Sequence, residues 1–333
     1  MPSLASRRSR RRRAAAAAGA LAVVAALLAW WVVPGSPPEP RGTAVFSTGV
    51  RTGVYHKYGD LLERYLRRDM PDVRVELIPS EGSRQNLERV ASGEAQFTFA
   101  TADVVAAYQR EHRPGRERLR GCARLYDDYV QLVVPRGSPV RSAADLRGLR
   151  VGVGQRGSGV RLVADRLLRA AGLDPARDVT EVLQGIDRMP QELESGGLDA
   201  FFWTGGLPTG AVTRLAERFP VRLVPLGPEL VERLHAATGT DGGYYRSAAI
   251  PGDTYGAAGG GEVATVAVAN LLVTTDRVDP ALAEGFTRTV IDTRDRIGRV
   301  VHPAQVVDLR TAIYTDPLPL HEGAVRYYRS VKP

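Results

Sequence analysis

The residues in this chain that could do chemistry are grouped in glycine- and hydroxyl-rich runs rather than in sets of acids, bases or thiols. The first run is T-G-V-R-T-G-V-Y at residues 48–55. Gly49 and Gly53 let a backbone come close to a ligand, while Thr48 and Thr52 add hydroxyl hydrogen bonds and Arg51 a cation. Tyr55 falls in the first turn of the helix that follows, where its ring can cover a bound group. Bare N–H groups at the positive end of a helix make a seat for a small anion. An ordinary strand-to-helix turn with a packed tyrosine is the plainer alternative, and this loop alone does not separate the two.

Catalytic and metal chemistry find little support. Ser158 lies between glycines, but R-G-S-G-V does not fit the G-x-S-x-G nucleophile elbow. His56, His112, His235, His302 and His321 lack metal-ligand spacing. Cys122 is the single cysteine, which excludes an intrachain disulfide, and beside Leu125 and Tyr126 it reads as a small buried hydrophobe. Asp127 and Asp128 are adjacent on a strand and so point to opposite faces. No catalytic group, metal site or cofactor is therefore expected. One rival motif remains, because Gly152, Gly154 and Gly157 fit G-x-G-x-x-G between a strand and a helix. Against a dinucleotide, no acid closes the next strand, and the same glycines serve equally well as a carboxylate seat at a helix start.

The elements that must position these residues alternate between strand and helix. Residues 43–47, 73–79 and 96–100 read as strands, with helices at 54–66 and from Ser83 to Tyr108 in two pieces; Ser83 is the expected N-cap of the first piece. This β–α–β–α–β order implies a parallel sheet with right-handed crossovers, whose ligands sit at the carboxyl ends of the strands. All three loops there are rich in Gly, Ser, Thr and Asn, and that convergence favours binding over the plain turn. Residues 123–134 read as a long strand. A second unit runs through strands at 149–153, 179–183 and 198–203, giving two β–α sheets in tandem. Residues 239–261 read as a surface loop or flap, 264–274 as a strand and 281–300 as a helix.

Composition fits a folded body with ordinary cores, 44% hydrophobic and 25% charged. The formal charge of +8 misleads, because six arginines lie within residues 1–13 and the remainder carries only +2. A nucleic-acid partner is not expected. Residues 14–33 hold no charge and end beyond Trp30 and Trp31, a length that crosses a bilayer as a helix. The expectation is a basic cytoplasmic segment at 1–13, an uncleaved anchor at 14–33, a proline-rich tether at 34–42 and an extracytoplasmic body, secreted if the helix is cleaved.

In order along the body stand T-G-V-R-T-G-V-Y at 48–55, P-S-E-G-S-R-Q-N-L at 79–87, F-A-T-A-D at 99–103 and L-Y at 125–126. V-G-V-G-Q-R-G-S-G at 151–159, D-A-F-F-W-T-G-G at 199–206, P-L-H-E-G-A at 319–324 and R-Y-Y at 326–328 complete the series. This ordered set resembles the TAXI solute receptors of TRAP-type (tripartite, ATP-independent) transporters. The resemblance implies an α/β, two-lobed periplasmic-binding-protein-like fold of type II. It would close by a hinge on a small carboxylate or amino acid such as glutamate and deliver it to a membrane permease. A membrane sensor is the alternative partner, and an exported oxidoreductase using residues 152–157 the lesser one. Lobe one would comprise 43–128 plus 275–333, and lobe two 129–274. The implied ligand contacts are Thr48, Gly49, Arg51, Thr52, Gly53, Tyr55, Ser83, Asn86, Thr101, Asp103 and Tyr126 from the first lobe. Gly157, Ser158, Gly159, Trp203 and Gly206 come from the second. Arg51 and Arg84 depart from the small residues common in the family, and either add a carboxylate clamp or face solvent.

Overall fold

A β-branched and aromatic run forms strand β1 (Gly42–Ser47), and helix α1 (Val54–Asp69) follows with Tyr58, Leu62 and Leu66 stacked on its inward face at intervals of four. The computed structural model describes residues 39–255 and 261–331. Strand β2 (Val73–Ile78), helix α2 (Ser83–Ser92), strand β3 (Phe97–Thr101) and helix α3 (Ala102–Arg110) complete the first unit. Both β2 and β3 pair with β1 in parallel, as alternating strand and helix require. Strand β4 (Leu119–Pro135) then runs for 17 residues, about 56 Å of extended chain.

The second unit contains β5 (Arg150–Gly152), α4 (Gly159–Ala170), β6 (Thr180–Val182), α5 (Met189–Glu194) and β7 (Ala200–Gly205). After it come α6 (Gly210–Arg218), β8 (Val221–Val224), α7 (Pro228–Thr238), β9 (Tyr245–Ile250) and β10 (Val263–Thr275). Helices α8 (Pro280–Gly298) and α9 (Glu322–Val331) close the described chain.

The two expected sheets are in fact one. Its order is β2-β1-β3-β10-β4-β7-β5-β6, with β8 beside β4 and β9 beside β10. The reason is length: β4 and β10 are long enough to serve both lobes and pair antiparallel with each other between them. Their register shifts at Ala269/Leu271, a bulge that bends the pair where the lobes meet. The result is a two-lobed α/β periplasmic-binding-protein-like fold on a curled sheet.

Hydrophobic residues gather on either side of this crossing. One core contains Phe46, Tyr58, Phe97, Phe99 and Tyr126 with Phe286 and Tyr327 from the carboxyl-terminal helices. Phe286 stacks on Phe97 with centroids 3.8 Å apart and faces Phe46 at 6.2 Å. The other side holds a core that includes Val130, Val151, Leu167, Phe202 and Val268.

The expected flap at 239–261 is corrected over its described part. Tyr245 is 1% exposed and begins β9, which pairs with β10 from Tyr245 to Ile250. Glycine content concealed this strand, and α7, capped by Gly227 with Pro228 in its first turn, was not foreseen. Among the described residues no helix is long and apolar enough to cross a membrane. The segment at 1–13, the anchor at 14–33 and most of the tether at 34–42 lie outside the described residues.

Two outcomes follow from this packing. Phe286→Ala should lower stability by about 3–5 kcal/mol, because it opens a cavity between two stacked rings; urea unfolding measures it. Burial pushes the Cys122 thiol up to about 12, so it should resist thiol reagents in the native protein and react at once in denaturant.

Candidate functional site

The loop after β1 is held from beneath. Asn86 Oδ1 accepts hydrogen bonds from the Ser47 and Ser80 hydroxyls, each at 2.7 Å, and its Nδ2 donates to the Phe99 carbonyl at 2.9 Å. The Thr48 hydroxyl donates to the Ile78 carbonyl at 3.2 Å and lies 3.0 Å from His56 Nδ1. Asn86 and Thr48 are fully buried, so these two expected ligand contacts are buttresses of the loop. Above them Tyr55 extends its hydroxyl to Asn270 Oδ1 and lies 3.3 Å from Ser83 Oγ. Ser83 is not the helix cap. Gly82 takes that position, and the Ser83 hydroxyl accepts from the Thr101 N–H at 3.3 Å.

Across from this loop, Ser158 caps α4, its Oγ accepting from the Arg161 N–H at 3.2 Å. The two lobes touch directly. The Gly157 carbonyl accepts from the Arg84 and Gln85 N–H groups at 3.0 and 3.1 Å, and the Gly157 N–H donates to Glu81 Oε2 at 2.7 Å. Gly82 makes this approach feasible. Its φ is +134°, and a Cβ there would lie 3.1 Å from Ser158 Cα. Behind the contact lies a cleft of about 60 Å³ between the lobes.

Of the expected site residues, the cleft brings together Gly49, Gly53, Tyr55, Ser83, Thr101, Ser158, Gly159 and Trp203. The others lie elsewhere. Arg51 and Thr52 are exposed and line a neighbouring opening with Glu81 and Gln85 and, from the other lobe, Gln155 and Asp187, while Arg84 pairs with Glu111 at 2.9 Å. Asp103 Oδ2 accepts from the Tyr245 hydroxyl at 2.8 Å, which in turn accepts from Arg166 Nη1 at 2.8 Å, all within the interior. Tyr126 stacks on Tyr58 at 6.1 Å in the first core. Gly157 forms the lobe contact, and Gly206 is covered by Pro303.

Several lining residues escaped sequence reasoning: Val50, Gln155, Ile186, Thr204 and above all Asp128. Strand alternation carried the signal for Asp128, since one member of the Asp127–Asp128 pair had to face inward. Asp127 faces out, bound to Arg124 at 2.6 Å and to Arg246. Asp128 is only 3% exposed, and its Oδ1 has no hydrogen-bond partner among the described residues; the same holds for Thr204 Oγ1. Burial pushes the Asp128 carboxyl up to about 7, an effect that the Asn270 side chain partly offsets and that Asp127 and Asp103 reinforce.

The glycines of the dinucleotide-like motif are used for packing. A Cβ on Gly152 would lie 2.7 Å from the Met189 sulfur and 2.9 Å from Phe201 Cβ, and Gly157 meets the opposite lobe.

Two lobes on shared crossing strands, with a lined cleft at the crossing, define a solute-binding protein of the periplasmic-binding type. Over residues 46–331 the chain matches, and belongs to, the NMT1-like family. Its fold is similar to that of a protein from Bordetella bronchiseptica (16% identity, TM-score 0.52, covering 88% of this chain and 90% of that one). A putative L-cystine ABC transporter from Listeria monocytogenes matches at 13% identity and TM-score 0.50, covering 80% and 98%. An ancestral arginine-binding protein bound to arginine matches at 16% identity and TM-score 0.50, covering 78% and 98%.

The geometry predicts two variants. Gly82→Val should introduce backbone strain of about 1–3 kcal/mol and hold the lobes apart, seen as a larger radius of gyration in solution scattering. Asp128 has a folded pKa above its unfolded one, so wild-type stability should fall as pH rises from about 4 to 7 and then level off. Asp128→Asn should remove that decline and melt higher than wild type at pH 8; thermal unfolding across pH checks it.

Proposed function

We propose that this protein captures a small solute bearing a carboxylate, such as an organic acid or an amino acid, between its two lobes and hands it to a membrane permease. The permease is of the TRAP type on the strength of the TAXI resemblance, and residues 14–33 tether the receptor to the membrane outside the cytoplasm. The protein is a binding protein and not an enzyme on this reading. The observation that carries it is the cleft at the crossing of β4 and β10, lined from both lobes, with the Gly157 carbonyl joining α2 across its mouth. A ligand touching both lobes binds the closed arrangement better than the open one and shifts the population toward it.

A carboxylate would sit at the first turns of α1 and α4, whose N–H groups have no partner within their helices. The equivalent groups of α2, those of Arg84 and Gln85, are engaged by Gly157. Trp203, held by its indole N–H to Thr209 Oγ1 at 3.2 Å, and Tyr55 supply apolar walls.

A thermal-shift screen of the full chain against small organic acids and amino acids tests the reading. Amino acids join the screen because the arginine-binding protein shares the fold. At a hundredfold excess over Kd, a true solute adds about 2.7 kcal/mol of stability. Trp203→Ala should weaken binding of any hit about tenfold, measured by calorimetry. Binding of nicotinamide dinucleotides with no response to any acid would return the oxidoreductase reading.

A further inference from the structure

We propose that Tyr255, which stands outside the cleft, positions Trp203 within it through a ring of hydrogen bonds shared with Gln131 and Thr209. That this positioning governs solute binding rests on the receptor reading above; the positioning itself does not.

Trp203 is the one tryptophan among the described residues and the largest side chain lining the cleft. Its indole lies close against the backbone of Gly205, where a Cβ would come within 2.6 Å of Nε1. The indole N–H donates to Thr209 Oγ1 at 3.2 Å. An indole nitrogen can only donate, so the hydroxyl must accept from it. That hydroxyl gives its own proton to the Gly206 carbonyl at 2.9 Å. Gln131, paired with Trp203 across β4 and β7, must therefore turn its amide nitrogen toward the hydroxyl, and Nε2 donates to it at 3.1 Å. Gln131 Oε1 is then left to accept from the Tyr255 hydroxyl, at 2.6 Å. Tyr255 in turn accepts the backbone N–H of Thr209 at 3.0 Å, which closes the ring on the residue where it began.

Two features set this ring apart from ordinary packing. Thr209 is the N-cap of α6, where a threonine hydroxyl usually accepts from the first turn of its own helix, and here it makes no such bond. The hydroxyl serves the indole and Gln131 instead. The members are also buried, with Gln131 0% exposed, Thr209 4% and Tyr255 8%. Each bond fixes the direction of the next, and reversing any one would leave a buried polar group unmet. Burial raises the Tyr255 pKa, so the phenol stays neutral and keeps the proton that it donates.

Tyr255 follows β9 in the stretch leading to β10, so a part of the chain remote from the cleft wall holds that wall in place. Without the phenol oxygen, both the Gln131 amide and the Thr209 N–H lose a fixed partner. The indole then samples other rotamers, and the solute must pay to order it.

The test uses the full chain with Trp30→Phe and Trp31→Phe, which leave Trp203 as its only tryptophan. In that background, without solute, Thr209→Val keeps the side-chain shape and removes the hydroxyl, Thr209→Ser keeps the hydroxyl, and Tyr255→Phe removes only the phenol oxygen. Acrylamide quenching of Trp203 should rise about twofold in Thr209→Val and Tyr255→Phe, with a shifted emission maximum, while Thr209→Ser behaves as its parent. Gln131→Met cuts the ring at another point and decides the case if thermal unfolding shows that Tyr255→Phe does not fold. Unchanged quenching on cutting the ring at Tyr255 or Gln131 overturns the proposal, even where Thr209→Val raises it. Calorimetry with L-glutamate and succinate reads the solute side, where Tyr255→Phe should weaken whichever binds by about threefold to tenfold. Raised quenching with unchanged affinity overturns the link to the solute. Silence from both acids leaves the positioning to the fluorescence result and the receptor reading to its wider screen.

Discussion

The structure depends on one backbone contact, the Gly157 carbonyl accepting two N–H groups from the start of α2. It joins the lobes at the mouth of the cleft, beside their connection through β4 and β10, and it places the caps of α2 and α4 face to face. Glycine suits this junction, because Gly82 has a φ of +134° and a Cβ there would lie only 3.1 Å from Ser158 Cα. The contact is also reversible in kind. Two N–H···O bonds at an exposed mouth each contribute about 1 kcal/mol net, within reach of what a bound solute adds or removes.

Beneath that junction the crossing strands carry polar groups in an otherwise apolar interior. Asn270 sits at the β10 bulge, accepts from Tyr55 and donates to the Tyr126 carbonyl at 3.3 Å. Asp103, Tyr245 and Arg166 form a second chain of bonds linking α3 to β9 and α4. Burying such groups costs stability unless each is satisfied, and most here are. Asp103 Oδ1 and Asp128 Oδ1 are buried carboxylate oxygens without a hydrogen-bond partner among the described residues.

Local pattern made much of the fold legible. The helix expected at 54–66 is α1, which runs Val54–Asp69. What pattern could not reveal was pairing at long range: nothing in residues 119–135 or 263–275 alone says that these strands join both lobes into one sheet. The same limit governs the site. Glycine and hydroxyl runs pointed to Gly49, Tyr55, Ser83 and Ser158, which do meet at the cleft. Thr48 and Asn86 have the same chemistry, but their hydrogen bonds turn them under the loop. Asp128 was visible only as half of an acidic pair, because which member faces inward depends on register.

The order of elements along the chain has a consequence for how the molecule comes into being. The rings of Phe46 and Phe97 are covered by Phe286, which a ribosome makes only after the whole intervening lobe. The middle of the polypeptide can bury its own core as it emerges, whereas the beginning must wait for the end. Vectorial synthesis therefore leaves Phe46 and Phe97 uncovered until α8 has been made.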